Sequence, residues 1–373
     1  MKKLTLLSFI CVLAISANAG DLKFLASEEV KYDDNIYLTN TDTKDSFISS
    51  TKLGAKYEGQ IPNTSLKGLF TAVGGYNAYT ENSSKNNYWD ALAIAEISNK
   101  NFTLGDRFLL TSDPANSEQT ERAKRINNNA YASFITSKEK MFSLGLKVSD
   151  EYNRYFKDEF KGLNRNRINA GVGAYYNISS KTSLFAEYTY VDIDYDKNKD
   201  NNSDGGIVAL GVEGQVAPKV KGTAKATYNY RNYDHDLSGY DNYADLFGYE
   251  VSLAWTPTSR NLIKLTGERT FEETLFTDNR YFVDTGVNLY MAQKINKLTL
   301  GLNLGYDNLA YQKEVGGIKR KDDVYTIRPE VDYQFREWLT AGVWYQFRKR
   351  TSTLSDDIEY DNNRVGAYIK AIF

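Results

Sequence analysis

Apolar side chains return at every second residue, segment after segment, along nearly the whole chain. Phe142, Leu144, Leu146 and Val148 share one face, with Ser143, Gly145, Lys147 and Ser149 on the other. Ile168, Ala170, Val172, Ala174, Tyr176 and Ile178 repeat the pattern, backed by Arg165, Arg167 and Asn169. It recurs through Val220–Tyr230, Phe247–Trp255, Leu298–Tyr306 and Leu339–Phe347. A helix needs apolar recurrences at three and four residues, which these segments lack, whereas a period of two is that of a β-strand. Eighteen strand cores follow, the first at 29–39 and the last at 362–373, with sixteen as the alternative count. Short connections such as Asn99-Lys100, Ala217-Pro218 and Arg336-Glu337 alternate with long polar ones. The long set includes Glu81–Asn87, Ser112–Glu121, Asp234–Tyr243, Ala310–Asp322 and Thr351–Asp361.

Such a chain is polar on average, with a mean hydropathy of −0.53, and no apolar run after residue 20 approaches the ~18 residues of a membrane helix. It carries 29 Tyr and 26 Gly but only 5 Pro and 1 His. Alternation between lipid and a wet interior, with rings at both membrane interfaces, produces that composition. A soluble β-sandwich or β-propeller is the competing reading, with its apolar faces turned inward. In hydrocarbon every backbone amide must find a protein partner, so a sheet spans only when closed. The expectation is an all-β, transmembrane, antiparallel up-and-down barrel with its short turns on the periplasmic side and its long loops outside. Eighteen strands enclose more space than side chains fill, unless a long loop folds inward.

Charged side chains on the lipid face cost ~2–4 kcal/mol each near the midplane, which assigns the mixed face to the lumen. The expected pore-lining set is Arg107, Arg165, Arg167, Glu187, Lys221, Lys225, Arg231, Lys264, Glu268, Arg328, Glu330, Arg348 and Arg364. Cations outnumber anions there, which favours anionic solutes, and Tyr or Trp beside Arg suits sugar rings.

The two ends add to this. Met1-Lys2-Lys3, the apolar run Leu4–Ile15 and Ala17-Asn18-Ala19 read as a secretory signal peptide over 1–19, leaving a single barrel domain over 20–373. The only cysteine, Cys11, falls inside that run, so the mature chain has neither a disulfide nor a thiolate metal site. Phe373, Ala371 and Ile369 share one face of the last segment with Ala367 and Val365. A strand ending on Phe in this way resembles the closing strand of a bacterial outer-membrane barrel. The resemblance implies that Phe373, Ala371 and Ile369 are read by the barrel-assembly machinery.

Little points to chemistry or to nucleic acid. Without the leader the chain holds 44 basic and 48 acidic residues, which gives no basic excess for a phosphate backbone. His235 lies between Asp234 and Asp236 in a long outer loop and reads as a solvated residue. No Gly-x-Ser-x-Gly elbow occurs. Asp200-x-Asn202-x-Asp204-Gly205 opens like a calcium loop, but its twelfth position is Gly211 instead of Glu. No catalytic residue, metal or cofactor is expected.

Several stretches together resemble the putative β-barrel porin 2 family. They are Tyr32-Asp33-Asp34-Asn35-Ile36; Trp255-Thr256-Pro257 with Arg260, Leu265, Arg269 and Glu272; and Asp332-Tyr333, Trp338-Leu339, Tyr345, Arg348, Arg350, Ser352, Tyr360 and Asn363. Members of that family often accompany exopolysaccharide synthesis and export genes. The resemblance implies an outer-membrane channel passing polysaccharide or oligosaccharide, with lipid, lipopolysaccharide and periplasmic export proteins as partners. A general porin for small anions and a closed structural or adhesive barrel are the alternatives.

Overall fold

Each segment with the two-residue period is a strand in the computed structural model of the chain, which describes residues 20–137, 140–236, 239–274 and 279–373. The leader expected over 1–19 lies outside the described residues. The strands are β1 (Gly20–Asp33), β2 (Ser46–Gln60), β3 (Lys67–Tyr79), β4 (Tyr88–Ser98), β5 (Phe102–Thr111) and β6 (Arg125–Ile135). Next come β7 (Phe142–Tyr155), β8 (Arg165–Ser179), β9 (Thr182–Tyr195), β10 (Ser203–Ala217), β11 (Val220–Tyr233) and β12 (Tyr243–Trp255). The last are β13 (Asn261–Glu273), β14 (Tyr281–Ile295), β15 (Leu298–Val315), β16 (Ile318–Arg336), β17 (Leu339–Ser352) and β18 (Tyr360–Ile372). Each pairs antiparallel with the next, and β18 returns to β1 from Leu25↔Ile372 to Asp33↔Arg364, closing an 18-stranded ring.

The ring is inside-out relative to a soluble β protein. Leu146, Leu53 and Phe247 are 58%, 63% and 73% exposed, while their chain neighbours of opposite parity turn to the interior. That is the arrangement of a wall bathed in lipid. Aromatic pairs mark its two rims. Phe142–Tyr176 and Phe24–Phe373 lie at the short-turn end, and Tyr76–Trp89, Tyr228–Phe247 and Tyr306–Tyr325 toward the loop end. Interfacial rings are favoured there because their apolar bodies meet acyl chains and their hydroxyls meet water.

Two expectations are corrected. The first strand is Gly20–Asp33, not 29–39. The alternation of Leu22, Phe24, Ala26, Val30 and Tyr32 is broken by Glu28, which points outward among them and accepts from the Ser49 and Thr51 hydroxyls. Ile36 and Leu38, which extend the apparent period, are instead buried in the β1–β2 loop. The supposed long loop Ala310–Asp322 is a hairpin in which β15 and β16 run to Val315 and Ile318 around Gly316-Gly317. Both glycines have positive φ, 61° and 80°, which residues with a Cβ rarely adopt. Their charged flanks, Lys313, Glu314 and Lys319, disguise the strands as loop.

The seam between β1 and β18 is fastened at both rims. At the short-turn end the backbones of Phe24 and Phe373 exchange hydrogen bonds of 2.6 and 3.1 Å. At the loop end Asn362 donates to Asp33 (2.7 Å), Asn363 donates to Asp34 from both its amide nitrogens (2.7 and 2.8 Å), and Asn35 donates to the Asp361 carbonyl (3.0 Å). Arg364 completes the clasp on Asp33 at 2.8 Å.

Candidate functional site: the lumen and the loop across it

A ring of eighteen strands encloses more space than its wall side chains fill, so what enters it decides what passes. The connection between β5 and β6, residues 112–124, enters it. Its tip reaches β15 and β17, on the far side of the ring from β6. The Ser117 hydroxyl donates to Asp307 Oδ2 at 3.0 Å, and Arg350 Nη1 donates to the Glu118 carbonyl at 3.0 Å. Thr274 Oγ1 donates to Glu118 Oε1 at 2.6 Å. Arg122 donates to the Ile36 carbonyl at 2.8 Å and lies 4.3 Å from the centre of the Tyr79 ring.

The loop holds its own shape as well. Asn116 Oδ1 accepts from the amides of Glu118 and Gln119, and Gln119 bridges the Ala115 amide and the Glu121 carbonyl. Glu118 and Gln119 are each only 2% exposed, an unusual setting for such residues. Hydrogen bonds to Glu121 and Glu159 hold the Lys157 ammonium above its ordinary range and tie the β7–β8 loop to the base of this one.

Other loops close in beside it. Ile36 and Leu38 of the β1–β2 loop are buried, Ile36 packing with Ile48 and Tyr79. Arg280 is buried over the Tyr233 ring at 4.4 Å and donates to the His235 carbonyl at 2.5 Å. Buried loop residues therefore crowd the loop-end half of the lumen beside the crossing loop.

The expected lining residues all project to the interior by strand parity, and many are neutralised there. Glu273 takes both Arg231 (2.8 Å) and Arg165 (3.2 Å). Lys225 meets Glu250 at 2.8 Å, and Glu187 accepts from Lys147 and from the Tyr175 hydroxyl. Arg328 lies 3.8 Å from Glu330 and 4.4 Å from the centre of the Trp344 ring. Arg364 belongs to the seam clasp. Arg107, Arg167, Lys221, Lys264 and Arg348 have no carboxylate within ion-pair distance among the described residues, and Glu268 and Asp307 have no cation that close.

Sequence reasoning missed the parts that act at a distance. Asp322 lay inside a supposed loop, yet it is wholly buried between Arg350 and Arg320, the latter at 2.7 Å. Parity does place Asp307 inward, but nothing local says that it receives Ser117 from the opposite wall. Phe373, Ala371 and Ile369 lie on the outer face, with Phe373 62% exposed.

The interior combines a water-compatible wall of mixed charge, unneutralised arginines and a polar bar across the passage. Those are the parts of a diffusion channel with a constriction. No curated protein matches the chain in sequence. Among solved structures it is similar to a BenF-like porin from Pseudomonas fluorescens Pf-5, at 8% identity, covering 95% of this chain and 99% of that one with a TM-score of 0.52. OccAB2 from Acinetobacter baumannii gives 12% identity, 96% and 98% coverage and a TM-score of 0.51. OccK2 (OpdF) from Pseudomonas aeruginosa in complex with glucuronate gives 8%, 95% and 98%, and 0.51. These likenesses carry the barrel fold. The sequence profile of the family described as "Putative beta-barrel porin 2" matches residues 25–373, and the chain belongs to that family of outer-membrane β-barrel porins.

Proposed function

We propose that this porin is a passive channel for small polar solutes with a preference for anions. The observation that carries the reading is the bar formed by residues 112–124, which divides a lumen whose wall still presents Arg107, Arg167 and Arg348 outside any close ion pair among the described residues. A solute passes such a constriction as a small hydrated molecule, and unneutralised guanidinium groups lower the barrier for negative charge. OccK2, whose barrel this one resembles, was crystallised with glucuronate, a solute of the size this reading predicts. Planar-bilayer recordings test it. Discrete conductance steps with chloride more permeant than potassium are expected, and a folded protein that never conducts would refute it.

Passage of polysaccharide or oligosaccharide asks more, because the crossing loop must swing aside. The lumenal pairing of Arg328 with Trp344 and the Tyr290 and Tyr368 hydroxyls on Glu330 and Asp332 suit a sugar, which keeps this second reading distinct. Unchanged secreted glycan after gene deletion would remove it, together with the proposed export partners. Recognition of Phe373, Ala371 and Ile369 by assembly machinery is proposed on their place at the seam. Slower membrane insertion of Phe373→Ala would support it.

A further inference from the structure

Beside the crossing loop, on the inner face of β17 and β18, two buried hydrogen-bond donors without acceptors lie next to a half-buried arginine. Arg348 and Arg350 project from β17 two residues apart, and Tyr360 is the cross-strand partner of Arg350. Directly opposed residues place their Cβ atoms ~5 Å apart. Arg350 is fully buried. It gives Nη2 to Asp322 and Nη1 to the Glu118 carbonyl, and its Nε has no acceptor. The Tyr360 hydroxyl has none either, on a residue only 2% exposed. Buried donors are nearly always satisfied, so two orphans side by side call for an explanation.

Arg348 supplies the open side of the group. It is half-buried, its guanidinium is 5.7 Å from the centre of the Tyr360 ring, and no carboxylate among the described residues lies within ion-pair distance of it, Asp307 acting on it only from further off. The surrounding charges are already committed. Asp322 is shared by Arg350 and Arg320, Asp33 holds Arg364, and Asp307 accepts from Ser117. Asp307, Val324, Arg350 and Tyr360 follow one another in register across four strands. Asp307 therefore stands two strands from Arg350 and three from Tyr360, on the same wall and in the same register row.

We propose that Arg348, the Tyr360 hydroxyl and Arg350 Nε form an anion subsite on the channel wall, and that its ligand is the carboxylate of a small hydroxy acid. Arg348 takes the carboxylate in a charge-assisted contact, Tyr360 donates to it from below, and Asp307 accepts from a hydroxyl of the same solute. This deepens the small-anion reading and rests on it. It names one station at which the solute pauses beside the loop.

The test uses the full-length barrel in planar bilayers, with glucuronate as the carboxylate probe and glucose as its neutral counterpart. Glucuronate is expected to block the ion current transiently and saturably, and glucose to leave it unchanged. Arg348→Ala should weaken the apparent affinity about tenfold or more, as loss of a hydrogen bond to a charged group does. Arg348→Lys should recover part of it, and Tyr360→Phe should lose about threefold to tenfold. Equal glucuronate block in the wild type, Arg348→Ala and Tyr360→Phe overturns the subsite and leaves the channel standing. Absence of any conductance in the wild type overturns the channel itself. Arg348 is half-buried, so its variants remain informative if Tyr360→Phe fails to fold.

Discussion

A charge placed on one side of the wall should be far more costly than the same charge placed on the other. Val172 lies at the middle of β8, faces outward and is 51% exposed. Thr189 lies on the adjacent strand, paired with Gly171 across the β8–β9 ladder, and faces the lumen. Val172→Arg should cost ~2–4 kcal/mol of folding free energy in a bilayer, because a guanidinium at the midplane has neither water nor partner. Thr189→Arg should stay within ~1 kcal/mol, since the lumen supplies water. Depth gives an internal control. Ile178 faces the same way as Val172, and at ~3.3 Å rise on a strand tilted ~40° it sits ~15 Å nearer the short-turn end. The apolar band extends only ~12 Å from its centre, so Ile178→Arg should cost no more than ~1 kcal/mol. The assay is urea titration of the protein folded into phospholipid vesicles, followed by tryptophan fluorescence. If Val172→Arg is tolerated as well as Thr189→Arg, or the order of the two is reversed, the outer face does not meet lipid.

Three further outcomes follow from the interior. Replacing residues 115–119 with a Gly-Ser linker removes the bar and should raise single-channel conductance; unchanged conductance would mean that the loop does not limit flow. Asp322→Asn leaves Arg350 and Arg320 buried without their counter-ion and should cost ~3–5 kcal/mol by the same urea titration. Gly316→Ala forces a Cβ into positive φ and should cost ~1 kcal/mol, whereas Gly162→Ala, with open space around it, should cost little.

The strands were legible because lipid on one side and water on the other impose a period that no loop imitates for long. The failures have local causes. Glu28 interrupts the outer face of β1, where two hydroxyls satisfy it, and so hides that strand's first half. Lys313, Glu314 and Lys319 stand above the apolar band, where strand residues face solvent and lose the alternation. Parity placed the lining residues but said nothing of their partners. Arg165 meets Glu273 and Arg350 meets Glu118 across the ring, and separations of 108 and 232 residues leave no mark on either segment. Glu118 and Gln119 read as ordinary loop residues because their burial comes wholly from chain elsewhere.

The clasp on β1 and β18 bears on how such a molecule is built. Seventeen of its strand junctions are made by neighbours already tethered through a turn or loop, whereas this one joins the two extremities of the ring. Asp33, Asp34, Asn35, Asn362 and Asn363 do there what a tether does elsewhere. A circular permutant that links the ends and opens at the exposed pair Lys199-Asp200 would convert this latch into an ordinary hairpin. It should then tolerate Asp34→Ala, which in the natural order leaves the cylinder prone to spring open.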